Sequence, residues 1–447
     1  MNNQAASGTS EANTPHESDM PTGWIVRRLK FLATCNDEAL PETTDPEFEM
    51  EYVDISSVNL IDGITNIETL TFEKAPSRAR RVVKDGDTIV STVRTYLKAI
   101  APIELPPRNM VVSTGFAVIR ALEFMDSKYL GYALQNVAFI DAVVANSTGV
   151  SYPAINPTAL VCLSMSYPED KATQQQVAAF LDWKTSQIDA LIAKKQELLQ
   201  KLKEKRLAVI TQAVTKGLNP DAPMLDSGIA WIGKVPEHWI VKRLKFIARI
   251  GNGSTPNRED SSYWDAGNYP WLNSSVVNQE SVTEADQFVT PLALSECHLP
   301  RIAPPAVLVG ITGQGKTRGM ATTLLFEATI NQHLAYVKPD GSKAVVGFLR
   351  RVFDMAYSHL RSESENGGST KGAITCEQIA ELPVPIPPIA EQTAITASVD
   401  QAIVRIDRMA DNAQSAITRL TEYRTALITA ATTGKIDVRQ VKIPASS

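Results

Sequence analysis

The sequence lacks the motifs that most often mark a catalyst or a disulfide-stabilised domain. Its 447 residues include only four cysteines, far apart and without a CxxC pair, so neither a disulfide framework nor a cysteine metal site is expected. The five histidines show no HExxH spacing for zinc, and no GxSxG elbow or strand-to-helix GxGxxG turn occurs. We therefore expect a chain that catalyses nothing itself and has no metal or cofactor of its own.

Long apolar runs and an excess of positive charge are also missing. No run approaches the roughly 18 to 20 apolar residues of a membrane span, and residues 1–20 lack the basic and apolar regions of a signal peptide. We expect that segment to be a disordered tail and the protein to be cytoplasmic. The net charge of -5 does not favour nucleic-acid binding, so any DNA-binding surface must be local.

One stretch, residues 173–215, predicts a single long helix. It contains no proline or glycine, and its apolar residues recur at alternating steps of three and four. That spacing is typical of an amphipathic helix or of one strand of a coiled coil. At about 1.5 Å per residue the helix would span roughly 65 Å, a length that needs a partner of similar size. Three lysines in the same register, Lys184, Lys195 and Lys205, are not explained by packing.

The same pattern returns in residues 390–433. Ile188 matches Ile406 and Arg206 matches Arg424, a separation of 218 residues. Two register-matched helices indicate an internal duplication rather than two surface helices of one large domain. The residues expected to form the seam of this helix pair are Leu181, Ile188, Leu191, Leu198, Leu202, Val399, Ile406, Met409, Leu420 and Leu427.

The two halves also begin alike. Residues 23–33 read GWIVRRLKFLA and residues 238–248 read HWIVKRLKFIA, which aligns Trp24 with Trp239 and Phe31 with Phe246. We favour these aromatics as buried anchors over ligand-stacking residues. Between each start and its helix lie short apolar runs, turn signals and helical stretches, which predict a mixed α+β domain in each half.

Each predicted domain carries polar and basic residues suited to DNA phosphates and base edges. In the first domain the cations are interleaved with hydroxyl residues, although a solvated charged face would look the same. In the second domain they lie in loops rich in glycine, serine and threonine, which equally could be plain turns. The candidate DNA contacts are Arg78, Arg80, Arg94, Tyr96 and Lys98 in the first domain, and Thr255, Asn273, Gln314, Lys316, Arg318 and Lys371 in the second.

Residues 310–317, GITGQGKT, satisfy the phosphate-binding pattern GxxxxGK[ST] and follow a strand-like run. That pattern acts at the N-terminus of a helix, where backbone amides and the lysine surround phosphates. Here the next residues are β-prone and include a glycine. We therefore favour a strand-loop-strand that offers Gln314, Lys316 and Arg318 to DNA.

From about residue 19 to residue 438, the chain resembles the DNA-specificity subunits of type I restriction-modification systems. The resemblance rests on short segments that are specific only together with the duplication. They are DSGIAWIG at 226–233, PEHW at 236–239, KF at 245–246, GSTP at 253–256, LPVPIPP at 382–388, EQ at 391–392, ID at 406–407 and TGKI at 433–436.

The resemblance implies two target-recognition domains joined by two long antiparallel helices, each domain reading one half of a bipartite site in double-stranded DNA. The helices would set the spacer and bind two methyltransferase subunits, and restriction and translocase subunits would join that core. The chain itself would not be catalytic. The implied divisions are a tail at 1–20, a first domain at 21–168, a spacer helix at 169–217, a linker and second domain at 218–388, a second spacer helix at 389–435 and a tail at 436–447.

Two alternatives remain open. One is an ATP- or GTP-binding enzyme that uses residues 310–317. The other is a coiled-coil structural protein without a nucleic-acid role.

Overall fold

The computed structural model describes residues 21–313, 315–366 and 372–444. The tail expected at 1–20, and the candidate contacts Gln314 and Lys371, lie outside those ranges. The chain forms two compact units. Unit 1 contains residues up to 196 together with residues from 414 onward, and unit 2 contains residues 197–413.

Unit 1 contains the first twelve strands and three short helices. The strands are β1 (Trp24–Arg28), β2 (Ala33–Cys35), β3 (Glu49–Val53), β4 (Val58–Asn59), β5 (Gly63–Ile64), β6 (Glu68–Thr71), β7 (Ala79–Val82), β8 (Thr88–Ser91), β9 (Ile100–Pro102), β10 (Met110–Ser113), β11 (Phe116–Ala121) and β12 (Ser164–Pro168). The helices are α1 (Ser127–Leu134), α2 (Val137–Ala145) and α3 (Pro157–Val161). Then follows the long helix α4 (Lys171–Lys216).

Unit 2 contains the remaining strands and three further helices of its own. The strands are β13 (Met224–Asp226), β14 (Lys234–Pro236), β15 (Ile240–Arg243), β16 (Ala248–Asn252), β17 (Tyr269–Leu272), β18 (Ser281–Val282), β19 (Gln287–Val289), β20 (Ala306–Gly310), β21 (Ala321–Leu324), β22 (Thr329–Ile330), β23 (Leu334–Pro339) and β24 (Pro383–Ile386). The helices are α5 (Pro291–Glu296), α6 (Val346–Asn366) and α7 (Cys376–Glu381), and the second long helix is α8 (Ile389–Thr432).

The two units share one sheet topology. Unit 1 has a sheet ordered β2-β11-β8-β9, and unit 2 has β16-β23-β20-β21 with β18 added at its edge. A second sheet contains the parallel pair β3-β10 in unit 1 and the parallel pair β17-β22 in unit 2. In unit 1, β1 pairs antiparallel with β12, the strand before α4, and in unit 2 the repeat equivalent of β1, β15, pairs antiparallel with β24, the strand before α8. The predicted α+β fold and its internal duplication are confirmed.

Side-chain caps fix where several of the short helices begin. Asp126 accepts a hydrogen bond from the Tyr129 amide at the start of α1, and Asn136 accepts one from the Phe139 amide at the start of α2. In unit 2, Thr375 and Gln378 form a reciprocal capping box at the start of α7. These side chains satisfy amide groups that the first helical turn leaves without partners.

Within each unit, segments of the two long helices run antiparallel. In unit 1, Gln176 Nε2 donates to the Val438 carbonyl at 3.2 Å and Arg424 Nε lies 3.0 Å from Asp189 Oδ1. In unit 2, Arg206 Nε lies 3.5 Å from Asp407 Oδ1. Each helix therefore contributes one segment to the core of each unit.

A repeated aspartate attaches the long helix to the domain in both units. Asp182 of α4 accepts hydrogen bonds from Lys128 Nζ at 3.0 Å and from Tyr132 Oη at 2.8 Å. Its repeat equivalent Asp400, on α8, pairs with Arg351 Nη2 at 2.7 Å. The duplication therefore preserves this attachment, although the cation comes from a different position.

The seam of the helix pair differs from the predicted one in its middle. Leu191 and Met409 are 48% and 49% exposed, whereas Ile192 and Ile403 are buried. Around the helix axis, the residue four positions after Ile188 is displaced from it by about 40°, and the residue three positions after it by about 60° in the opposite direction. Buried Ile192 shows that the four-step applies here. The other expected seam residues are buried (Leu181, Ile188, Leu202, Val399, Ile406 and Leu427) or half-buried (Leu198 and Leu420).

The lysines in the helical register are not buried charges. Lys184 Nζ lies 3.8 Å from the ring centre of Trp183, a cation–π contact that keeps the ammonium at the surface. Lys195 is half-buried and Lys205 is exposed. Long lysine side chains can cover apolar surface with their stems while the charge stays in water.

The aromatic residues shared by the two starts divide into two groups. Trp239 is buried and Trp24 packs edge-on against Tyr129 with ring centres 6.4 Å apart, as expected for anchors. Phe31 and Phe246, in contrast, are 54% and 59% exposed, so the prediction that they are buried anchors is wrong. Each lies in a one-turn 3-10 helix whose leucine, Leu29 or Leu244, fills the core instead.

All four cysteines are free thiols. Among the residues that the structure describes, none of the helices has both the length and the apolar character that crossing a membrane requires.

Candidate nucleic-acid interface

In unit 1 the candidate contacts centre on the turn that follows β8. Residues Thr95–Leu97 form a one-turn 3-10 helix between Arg94 and Lys98, which both adopt left-handed backbone angles, with φ of 51° and 53°. Such conformations cost non-glycine residues about 1–2 kcal/mol each and persist only where the surrounding fold enforces them. The turn exposes Arg94, Tyr96, Leu97 and Lys98 at one end of the sheet.

The loop between α2 and α3 packs against this turn. Thr95 Oγ1 and Ser147 Oγ are 2.8 Å apart, and the Ile155 amide donates to the Thr92 carbonyl at 2.8 Å. The Arg94 guanidinium stacks over the Tyr152 ring at 5.0 Å from its centre. The two loops thus form one surface that combines cations with exposed aromatic rings, a combination suited to phosphates and bases.

Arg78 reaches the same end of the unit through its backbone. The Thr114 amide donates to the Arg78 carbonyl at 2.7 Å. Gly115, which follows Thr114 in the chain, accepts a hydrogen bond at 2.8 Å from the amide of Thr92, beside the turn. Arg78 forms an ion pair with Asp54 at 3.2 Å, and a hydrogen bond that its guanidinium donates to Tyr52, together with that carboxylate, raises the pKa of Arg78. Its charge is therefore partly neutralised within the unit.

Arg80 is engaged by its own neighbours. Its guanidinium stacks over the Phe72 ring at 4.4 Å and donates to the Ala79 carbonyl at 2.9 Å. The structure therefore joins Arg78, Arg94, Tyr96 and Lys98 at one end of the unit and gives Arg80 a local packing role.

In unit 2 the equivalent turn is the glycine-rich loop 311–320 between β20 and β21. Tyr357 Oη donates to the Lys316 carbonyl at 2.9 Å, and Arg361 Nη1 donates to the Gly315 carbonyl at 2.7 Å. The Ile374 amide donates to the Ile311 carbonyl at 2.8 Å, which repeats the contact of Ile155 with Thr92 in unit 1. The duplication therefore brings the same two loops together in both units.

This loop does not have the structure of a nucleotide-binding loop. The chain after Thr317 enters the strand β21 at Ala321, and no helix N-terminus lies in the described part of this loop. A Cβ at Gly310 would lie 2.4 Å from the Thr317 carbonyl oxygen, so glycine is needed there for a backbone contact. The predicted strand-loop-strand is present, and the nucleotide-binding alternative is wrong because the helix that would bind phosphates is replaced by a strand.

Arg318 is not available as a DNA contact. Its side chain is buried, with 4% of the residue exposed, and its guanidinium pairs with Glu365 Oε1 at 2.7 Å. The expectation that Arg318 touches DNA is corrected, because the arginine instead holds the loop against α6. Lys316 remains exposed at the tip.

Thr255 and Asn273 are engaged within unit 2. Thr255 Oγ1 donates to Gln332 Oε1 at 2.7 Å, and Asn273 Oδ1 accepts from the Ser275 amide at 2.8 Å. The Gln332 side chain also contacts the His333 ring, and His333 Nδ1 lies 2.7 Å from Thr312 Oγ1 in the glycine-rich loop. Thr255 thus belongs to a polar network that joins its own loop to the loop 311–320.

The fold brings to these surfaces several residues that are not among the candidate DNA contacts. Tyr152 and Ser147 in unit 1, and Gln332 and His333 in unit 2, come from loops distant in sequence from the cation clusters. Their polar loop positions were visible in the sequence. Their proximity to the candidate turns depends on strand pairing that no local pattern reveals.

The fold and site define a duplicated α+β protein. Each of its two units has an equivalent pair of loops and contains a segment of each long helix. Residues 236–418 match the family model described as the type I restriction modification DNA specificity domain. The type I restriction enzyme MjaIX specificity subunit of Methanocaldococcus jannaschii is 29% identical over 168 residues, which cover 37% of this chain and 38% of that protein. The MjaX specificity subunit of the same organism is 22% identical over 433 residues, 94% of this chain and 95% of its own length.

A solved chain supports the same fold. It comes from a study of complex assembly and conformational transition of the type I R-M system, with a TM-score of 0.72 and 23% identity over 93% of this chain and 99% of that one. The chain is therefore similar, in sequence and in fold, to the DNA-specificity subunits of type I restriction-modification systems.

Proposed function

We propose that the chain recognises a bipartite double-stranded DNA target as the specificity subunit of a type I restriction-modification complex, with each unit reading one half-site. The observation that supports this proposal is that the two units have equivalent loop pairs. Residues 92–98 with 147–155 in unit 1, and 311–320 with 372–375 in unit 2, occupy equivalent places on the equivalent sheets of the two units. Their side chains differ, so the two half-sites should differ in sequence.

The long helices have two roles in this proposal. They set the spacer between the half-sites, and their outer faces bind two methyltransferase subunits, to which restriction and translocase subunits add. Large apolar side chains left exposed on the helices, including Leu191, Leu207, Val404 and Met409, support a docking role. Methyl transfer and ATP hydrolysis belong to the partners, and the chain itself is not an enzyme.

The test is selection from a random DNA library by the purified chain together with its modification subunit. We expect enrichment of one motif with two defined parts separated by a fixed number of unspecified base pairs. Enrichment of a single contiguous motif, or of none, would contradict the proposal. The chain alone should enrich the same motif more weakly, because a net charge of -5 leaves part of the phosphate contact to the partners.

A further inference from the structure

One surface that the two units repeat lies away from the candidate DNA loops. It consists in unit 1 of Arg28, Lys30 and Phe31, and in unit 2 of Arg243, Lys245 and Phe246; we call these the two RKF patches. In both patches the cations are exposed, the phenylalanine ring is more than half exposed, and the lysine ammonium lies near that ring, at 4.9 Å and 5.3 Å. Core packing requires only the intervening leucine, so it does not explain the retained outer residues.

The strand register places each patch at the opposite end of its sheet from the DNA loops. In unit 1, the first residue of β11, Phe116, pairs with Ser91 just before the turn at 94–98, and its last residue, Ala121, pairs with Ala33 just after the patch. In unit 2, β23 begins opposite Gly310 and ends opposite Ala248. Six residues of strand separate the ends by about 17 Å in each case.

We propose that the two RKF patches are docking sites for two copies of one protein partner that presents acidic side chains around an apolar pocket. Each phenylalanine enters such a pocket and the flanking cations pair with the acidic rim, since an aromatic anchor beside arginine is the usual centre of a protein interface. The DNA loops of the two units have diverged, whereas the patches have not. Three exposed residues of the same type in both units fit one partner bound twice. This inference rests on the proposed function, in which the modification subunit binds in two copies.

The two patches differ in one charge, which gives the proposal an internal control. In unit 2, Glu381 neutralises both cations, lying 2.6 Å from Arg243 Nη1 and 2.5 Å from Lys245 Nζ. The equivalent residue in unit 1 is Cys162. The Leu29 amide donates to the Leu163 carbonyl in unit 1, and the Leu244 amide donates to the Leu382 carbonyl in unit 2. Leu163 therefore corresponds to Leu382, and Cys162, one position earlier, corresponds to Glu381. Within the described ranges, no carboxylate of unit 1 forms an ion pair with Arg28 or Lys30.

The experiment measures the stoichiometry and affinity of the purified modification subunit for the full-length chain, by light scattering and calorimetry. Wild type should bind two copies. Phe31→Ser and Phe246→Ser should each weaken one of the two sites at least tenfold, and the double variant both. Phe288→Ser, which removes another exposed phenylalanine of unit 2, is the matched control and should bind as wild type does.

Charge variants test the rim independently of the rings. Lys30→Glu should weaken the unit 1 site, and that site should be more sensitive to salt than the unit 2 site. Glu381→Gln should strengthen the unit 2 site several-fold, since it frees two cations.

Three outcomes of the partner-binding and DNA-binding measurements would overturn the inference. They are unchanged binding of two partner copies by the double phenylalanine variant, failure of wild type to bind the partner, and reduced DNA affinity of a fully assembled double variant, which would make the patches a DNA surface. Self-association of the chain that the phenylalanine variants abolish would also contradict it. Selection of a bipartite DNA motif by the assembled complex tests the proposed function separately, so either proposal can fail alone.

Discussion

At the scale of single residues, the turn at 94–98 combines conformational strain with exposed charge. Lys98 has a φ of 53° and an exposed side chain, and its amide donates only to the Thr95 carbonyl within the turn. The left-handed conformation disfavours any residue with a Cβ, while glycine adopts it freely. A residue kept there at such a cost indicates a function that glycine could not supply.

Lys98→Gly should therefore raise stability and lower DNA affinity at the same time. We expect a gain of about 0.5–1 kcal/mol in the free energy of unfolding, the difference between the relieved strain and the added chain entropy. The slope of log affinity against log salt concentration should fall by about one, as for loss of one phosphate contact. Denaturant titration and DNA binding at several salt concentrations measure the two effects.

Lys98→Ala is the matched control, because it removes the charge and keeps the strain. It should show the same loss of salt dependence without the gain in stability. Arg108→Ala, at the other end of β10 from this surface, should change neither. An unchanged salt slope in both Lys98 variants would exclude a phosphate contact.

Asp87 is the buried end of an ion pair that supports the sheet of unit 1. Its two oxygens lie 2.8 Å from Nε and Nη2 of Arg120, and it also accepts from the Lys84 amide at 2.7 Å. Asp87→Ala should lower the free energy of unfolding of unit 1 by about 3 kcal/mol, since it leaves a partly buried guanidinium without its main partner. Denaturant unfolding measures this, with Asp141→Ala at an exposed helical position as the control. A loss below about 1 kcal/mol would show that Glu38, 2.9 Å from Arg120, suffices.

Glu280 should make the stability of unit 2 depend on pH. Partial burial acts to raise the pKa of Glu280, but the charges of Arg350 and Arg351 outweigh it and hold that pKa below its usual value of 4.5. A carboxylate with a lowered pKa stabilises the fold above its unfolded pKa and loses that contribution as pH falls through the folded pKa. The difference in melting temperature between wild type and Glu280→Gln should be largest near neutral pH and shrink below about pH 4. A constant difference down to pH 3 would contradict this.

At the scale of elements, the long helices were the most predictable part of the chain. The helices predicted at 173–215 and 390–433 correspond to α4 (Lys171–Lys216) and α8 (Ile389–Thr432). They could be predicted because uninterrupted periodicity without glycine or proline determines a helix locally. The seam was less predictable, since a step of three or four decides whether Leu191 or Ile192 is buried. That choice depends on the partner helix.

The sheets and loops depended on contacts that sequence pattern does not give. The parallel pairing of β3 with β10 joins residues about 60 positions apart, and no short-range signal specifies it. Arg318 looked like a free cation in a glycine-rich loop and is buried because Glu365 lies beside it. The basic clusters are visible in the sequence, but their availability to a ligand could not be read from composition.

The helices give a prediction about the spacer between half-sites. Inserting seven helical residues after Gln196 and seven after Ala413 adds about 10 Å to each helix, nearly two whole turns. We expect the selected motif to keep both half-sites and to gain about three base pairs of spacer, at 3.4 Å per pair. Insertion in only one helix should abolish selection, because it breaks the antiparallel register. Altered half-sites in the double insertion would contradict the division between reading domains and spacer.

At the scale of the whole molecule, the duplication explains features that neither unit explains alone. A net charge of -5 is compatible with DNA recognition because a local group of exposed cations, such as Arg94 and Lys98 in unit 1, is enough to form a DNA-binding surface. Divergence of the DNA loops and retention of the RKF patches follow if two different half-sites are read while one partner binds twice. The repeated aspartates Asp182 and Asp400 show that the attachment of domain to helix is likewise shared.

The measurement that tests the central claim most directly is the genome-wide methylation pattern of a host with and without this chain. Deletion should remove methylation at one bipartite motif and at no other, and expression of the wild-type chain should restore it. Persistence of every methylated motif after deletion, or loss of a motif without two separated parts, would contradict the account.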